Sequence, residues 1–212
     1  LASRQANGLK ARDIVQVIRV VVIADGHHRY AISRTFSAEA KDLAGATSVL
    51  CYINELVDEQ LSVAAIHRLY SDVEFTALVN QLAKYFEISE LQNIDASIIS
   101  KMATQQHLTL VSPDGTAKIM KPKSEMFNGV RNLDSAMLEH ALSALDLTVA
   151  YQHGYREIVE QLATTKFTAA VLIRPVSVAE IQRTATEGLL MPPKSTFFTP
   201  KLQTGLVLRD LN

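Results

Sequence analysis

HLTLVSPDGTAKIMK, residues 107–121, decides the fold class. Two apolar runs flank Pro113-Asp114-Gly115, where proline presets φ and glycine supplies a positive one, so the stretch predicts an antiparallel hairpin. Working outward, residues 48–56 and 63–70 are apolar runs separated by the polar VDEQ, and they read as a second pair of adjacent antiparallel strands. The β-branched run at 19–24 predicts a buried strand, and shorter strands are expected at 147–151, 168–174 and 205–209. Helical spacing marks 10–18, 28–43, 71–85, 95–105, 134–145, 155–163 and 177–187. Ser71 with Glu74 and Ser177 with Glu180 have capping-box spacing, while Gly45 and Gly188 are placed to stop helices. Antiparallel neighbours outnumber βαβ units, which predicts an α+β fold: a mixed, mainly antiparallel sheet with packed helices. Residues 1–212 read as a single domain without internal repeats, with KPKSEMFNG at 121–129 as a flexible loop or subdomain seam.

Composition narrows the function classes. With 21 basic against 22 acidic residues and a formal charge of −1, the chain carries no basic field for nucleic acid and no acidic tail. Nucleic acid is therefore an unlikely partner. No apolar run approaches the roughly 20 residues of a spanning helix, and no secretion pattern opens the sequence, so a membrane is not expected and a cytoplasmic setting is. The single cysteine, Cys51, lies in the apolar VLCYI and is expected to be a small core residue in a reducing compartment. Neither HxxxH nor HExxH occurs, so no metal site is assigned. His67, in AAIHRLY, is expected to be a packed, hydrogen-bonded core residue; His107, His140 and His153 are isolated. Nucleophile-elbow and dinucleotide-binding patterns are absent.

The first functional candidate is VVIADGHHRYAISR, residues 21–34, where an apolar run meets Asp25, Gly26, two histidines and an arginine before a helical pattern. If Asp25 caps a helix starting near His28, the turn presents backbone amides and the positive end of the helix dipole. Gly26 lets the chain bend and a ligand approach the backbone. His27, His28 and Arg29 add donors, and arginine can grip two phosphate oxygens at once. Together these residues predict an anion pocket suited to phosphate, with an imidazole able to move a proton near neutral pH. The plainer alternative is a surface turn whose His and Arg bond neighbouring loops.

A second polar cluster is MPPKSTFFTPK, residues 191–201. GLLMPPKS nearly spells a phosphate-binding P-loop, but Pro193 removes an amide such a loop needs, and the segment follows a helix instead of a strand. Lys194, Ser195, Thr196 and Lys201 remain grouped in a proline-ordered loop beside Phe197 and Phe198, where they could clamp an anion; equally, the phenylalanines could staple the loop while the lysines face water.

IADGHHRYA, followed downstream by GLLMPPKSTFFTPKLQTGLVL, resembles the uncharacterised bacterial and archaeal family called domain of unknown function 1015. IHRLY and AAVLIRPVSVAEI extend the likeness over most of the chain. Members of that family are about twice this length, which implies that the chain is a C-terminal portion and that a preceding half contributes to any site. The DGHHR element is in turn similar to the phosphate-binding turn of the ParB and sulfiredoxin superfamily, which includes nucleotide hydrolases and a free-serine kinase. Sulfiredoxins carry a reactive cysteine in GCHR; here His27 stands at that position, so sulfinic acid repair is not implied. The resemblance implies phosphate contacts for Gly26, His28 and Arg29.

The resulting expectation is a nucleotide- or phosphate-binding domain, with phosphotransferase or nucleotide hydrolase as the enzyme classes and a non-catalytic interaction or scaffold module as the alternative. Gly26, His28 and Arg29 would hold the phosphate of ATP or another nucleotide, or of a phosphorylated small molecule. Asp25 would order the turn or help hold Mg²⁺, His27 would handle a proton, and Lys194 or Lys201 would neutralise charge. Sequence leaves the oligomeric state open.

Overall fold

The hairpin forms as its turn chemistry requires, with β4 (Leu108–Val111) pairing antiparallel to β5 (Ala117–Pro122) in the register Leu108↔Met120 to Val111↔Ala117. Between them Gly115 takes φ 83°, and the Asp114 carboxylate accepts from the Thr116 amide and hydroxyl, each at 2.9 Å, and from the Ser112 hydroxyl. A computed structural model of the protein describes residues 22–57, 61–164, 166–199 and 201. Two compact units divide the chain: Leu1–Ile53 with Gln203–Asn212, and Asn54–Leu202. The helix expected at 10–18 and the strand expected at 205–209 lie outside the described residues.

In the second unit six strands make one sheet in the order β3-β5-β4-β7-β2-β6, comprising also β2 (His67–Ser71), β3 (Phe86–Leu91), β6 (Thr148–Gln152) and β7 (Ala169–Leu172). Every neighbouring pair is antiparallel, as the α+β reading expects. Helices cover both faces. β7 shows why: Ala169, Val171 and Ile173 join one apolar cluster and Ala170 and Leu172 another, so the run is apolar at every position because both sides are buried. The first cluster takes in Leu78 and Leu82 of α2 (Phe75–Tyr85) and Met137, Leu138 and Ala141 of α4 (Asp134–Leu142). The second takes in Ile98 and Met102 of α3 (Ile98–Gln105) and Ile158 and Leu162 of α5 (Tyr155–Ala163). A smaller cluster joins Leu133, Val176 and Ile181 of α6 (Val178–Thr186) to Val63 and Phe198 of a separate two-stranded ribbon, β1 (Ser62–Ala64) with β8 (Phe197–Thr199).

Several expectations need correction. The run at 63–70 is two strands in two sheets, broken at Ala65 and Ile66. Residues 48–56 join no strand, and Cys51 is exposed, outside the apolar clusters. Among 19–24 only 22–24 are described, and they join no strand. Ser71 remains the last residue of β2, Asp72 turns the chain at φ 61°, and Glu74 is the N-cap of α2 with no side-chain capping bond, so the first capping box does not form. The second forms by half: the Ser177 hydroxyl accepts from the Glu180 amide at 3.2 Å, but the Glu180 carboxylate turns to Arg131 and Arg183 instead of the Ser177 amide. β3 was not expected at all. Within 121–129, the turn Ser124–Phe127 buries Phe127 against the sheet.

Candidate functional site

In the first unit α1 (His27–Glu39) opens at Gly26, whose φ of 87° lies in the left-handed region that favours glycine. Asp25 orders this turn from its own side: its carboxylate accepts from the Gly26 amide at 2.9 Å and lies 3.8 Å from the Arg29 guanidinium. The N-cap position is held by Gly26 instead of Asp25, and the helix begins one residue earlier than expected. The first intrahelical bond runs from the Tyr30 amide to Gly26 O at 2.9 Å, so the amides of His27, His28 and Arg29 precede any intrahelical acceptor. The Arg29 side chain folds back over Gly26: a Cβ there would meet Nη2 at 3.1 Å and Nε at 3.2 Å. Glycine thus serves twice, allowing the backbone angle and the close return of the guanidinium. His27, His28 and Arg29 are all exposed, and no residue of α1 is buried; the apolar positions Tyr30, Ile32 and Phe36 are 47%, 70% and 40% exposed.

The second cluster belongs to the other unit. Lys194 is exposed in a turn at φ 57°, while Ser195 is buried with its hydroxyl 3.0 Å from that of Ser135 at the start of α4, so this serine anchors the loop. Thr196 is half-buried. Phe197 stacks on His153 with ring centroids 4.2 Å apart, and Lys201 Nζ lies 4.8 Å from the same ring. Sequence reasoning missed His153, whose stacking on Phe197 becomes visible only once β8 is placed.

His67 is buried, and its Nδ1 accepts from the Ile173 amide at 3.2 Å. Burial, with Arg68 and then His153 adding positive charge nearby, pushes its pKa down to about 4, so it is neutral and structural near pH 7. His107 is buried with Nδ1 3.0 Å from Leu108 O, and the exposed His140 packs edge-on against Tyr85. Arg68, beside His67, is a buried charge that no periodicity argument singles out. Among the described residues no three His, Cys, Asp or Glu side chains gather as a metal site, and no helix is long and apolar enough to cross a membrane.

The fold has solved counterparts. Two mutants of a free serine kinase, each in complex with AMP, superpose with a TM-score of 0.52 at 14% identity, covering 83% of this chain and 66% of theirs. A conserved hypothetical protein from Pyrococcus furiosus superposes with a TM-score of 0.50 at 14% identity, covering 83% of this chain and 68% of its own. The likeness at this identity is one of fold, and the chain spans just under two thirds of the kinases' length. No curated protein matches the sequence. The family model described as Protein of unknown function (DUF1015) matches residues 6–136, a span that takes in the DGHHR turn and ends before the 191–201 loop. Matched over more than half its length, the chain belongs to that family.

Proposed function

We propose that the chain is a cytoplasmic nucleotide-binding domain whose DGHHR turn holds phosphate, with phosphoryl transfer or nucleotide hydrolysis as its reaction class. The observation that carries this reading is the opening of α1, where the Arg29 guanidinium folds over a positive-φ glycine beside amides that precede the first helical bond. Such a helix start favours an anion through amide donors and dipole together. The Asp25–Arg29 pair is well exposed, and exposed pairs contribute about 0–1 kcal/mol, so an incoming phosphate can displace the carboxylate at little cost. The AMP bound by the kinases of like fold gives the reading its ligand class.

In this scheme the Gly26 turn, His28 and Arg29 take the phosphate oxygens, as in the ParB and sulfiredoxin superfamily. Asp25, released from Arg29, helps hold Mg²⁺; His27 accepts the proton of the attacking hydroxyl or water. In the other unit, the 191–201 loop anchored through Ser195 is an anion-binding element of its own, in which Lys194 or Lys201 neutralises charge and the Thr196 hydroxyl donates a hydrogen bond. A second reading, a non-catalytic interaction module, draws on the exposed Tyr30, Ile32 and Phe36.

Calorimetric titration with ATP, ADP, CTP and GTP plus Mg²⁺ separates the two. At least one nucleotide should bind the wild type, and Arg29→Ala should weaken it about tenfold or more, the worth of a charge-assisted hydrogen bond. No binding of any nucleotide to the wild type would remove the first reading in favour of the second. Parallel loss in Lys194→Ala or Lys201→Ala would assign the loop to the same ligand.

A further inference from the structure

The six-stranded sheet ends in two strands whose outer edges differ in chemistry. At one end β3 presents the exposed carboxylates of Glu87 and Glu90, the second paired with Lys118. Charge on an edge strand blocks the addition of a further strand. At the other end β6 reads TVAYQ, with no charged residue, no proline and no glycine. Among the described residues its strand neighbour is β2 alone, so the backbone groups that point away from β2 have no ladder to join there. Such an edge is a template for one more strand.

The residues of β6 select which strand fits. Turned antiparallel to itself about Ala150, the strand sets Thr148 opposite the partner's Gln152, Val149 opposite the partner's Tyr151, and Ala150 opposite the partner's Ala150. All five residues enter the ladder: polar meets polar, aromatic meets β-branched, and the smallest side chain lies on the two-fold axis. Opposite residues share a face of the sheet. Val149 packs with Leu138 and Leu142 on the α4 face, whereas Ala150 packs on the α5 face, so the partner's Tyr151 arrives on the α4 side. Tyr151 is 44% exposed in the single chain, and the pairing covers it.

A cavity of about 190 Å³ lies on that same face, lined by Val149 and Tyr151 together with Leu138, Glu139 and Leu142 of α4. An engineered cavity of about 150 Å³ holds benzene, so the space is of the size that takes an aromatic ring. The ring brought opposite Val149 is the partner's Tyr151, a neutral group whose hydroxyl can donate to the Glu139 carboxylate.

We propose that β6 pairs with β6 of a second copy, antiparallel and centred on Ala150, joining two six-stranded sheets into one. The contact is isologous and closes at two copies, and the acidic β3 strands at the outer ends stop further addition. The edge shares no residue with the DGHHR turn or the 191–201 loop, so its test is independent of nucleotide binding.

Sedimentation velocity of the 212-residue chain between about 1 and about 200 μM reads the assembly. The wild type should pass from monomer to dimer within that range. In Thr148→Lys/Gln152→Lys, lysine stands directly opposite lysine on both sides of the axis, and the dimer should weaken about tenfold or more. In Thr148→Lys/Gln152→Glu each lysine faces a glutamate of the partner, and affinity should return to within about threefold of the wild type. A dimer formed through any other surface would not distinguish the two variants. Should the double-lysine chain fail to fold, Tyr151→Lys takes its place and should weaken the dimer by a like factor. The proposal is overturned if the wild type stays monomeric throughout, as it would where a different segment or protein covers the edge. It is equally overturned if the lysine variants dimerise like the wild type, or if the lysine–glutamate chain is as weak as the double-lysine one.

Discussion

His27-His28-Arg29 and His67-Arg68 put the same two side-chain chemistries at the beginning of an element, the first on a helix and the second on a strand. On α1 all three side chains face water and the helix buries nothing. On β2 both are 2% exposed; the imidazole is held neutral by burial and the guanidinium is left with an unused donor. Residue type is the same and solvation differs, and solvation sets the role: exposed groups are free to exchange partners with a ligand, whereas buried ones are committed to the fold or to whatever enters the interior.

If that division holds, charges in the sheet unit should govern stability and charges in the turn should govern binding. The largest effect is expected at Asp134, a buried carboxylate that accepts from the Arg174 amide at 2.8 Å, from Nε at 3.0 Å and from Nη2 at 2.5 Å. Asp134→Ala strands the half-buried guanidinium and an amide, and should cost about 3–5 kcal/mol in a urea melt; a loss below about 1 kcal/mol would break the comparison.

His67 comes next. Its folded pKa is depressed to about 4 from 6.5, so between those values the unfolded chain binds the extra proton and stability falls as pH drops. The full contribution is present above about pH 6.5, and its loss reaches about 3 kcal/mol by the time pH falls to 4. His67→Asn, which can keep an acceptor for the Ile173 amide, should remove this pH dependence, so the wild-type minus variant stability difference should fall as pH drops from 6.5 to 4; equal pH slopes for the two proteins would show that the imidazole does not titrate this way.

Smaller still is Ser177→Ala, which removes the hydroxyl accepting from the Glu180 amide and should cost about 1 kcal/mol by thermal melting. Smallest is Arg29→Ala, expected to change stability by less than about 0.5 kcal/mol while it weakens nucleotide binding. A large fall in Tm for this variant would mean that the turn is structural, and the contrast with β2 would collapse.

The hairpin at 107–121, α5 and α6 were legible because periodicity and punctuation agree there: Asp114-Gly115 makes the turn, Gly154 precedes α5, and Ser177 caps α6. The run at 48–56 has a strand's composition, but a strand also needs a partner, which composition cannot supply. β3 was missed for the converse reason: Phe86 turns from helix to extended backbone at φ −125°, ψ 144° with no glycine or proline to announce it, and the strand is defined by pairing with β5. In the 63–70 run, no break residue marks the point where the chain leaves one sheet for another. For the site, the DGHHR cluster stood out because its polarity interrupts an apolar run. Arg68 did not, since a lone charge in a strand acquires meaning only when Tyr151 and α4 close around it. His153 is likewise defined by Phe197, far along the chain.

The antiparallel sheet has a further consequence for how the polypeptide is born. Arg68 pairs with Tyr151 and Val171, more than eighty residues downstream, whereas β4 and β5 are joined by a short turn. At roughly 5–20 residues per second, translation delivers the first of those distant strands on the order of ten seconds after β2 emerges, while a hairpin closes in about 1–10 μs. Throughout that interval Leu69 and Tyr70 stand beside bare peptide groups on the ribosome, a surface suited to chaperones and to aggregation alike.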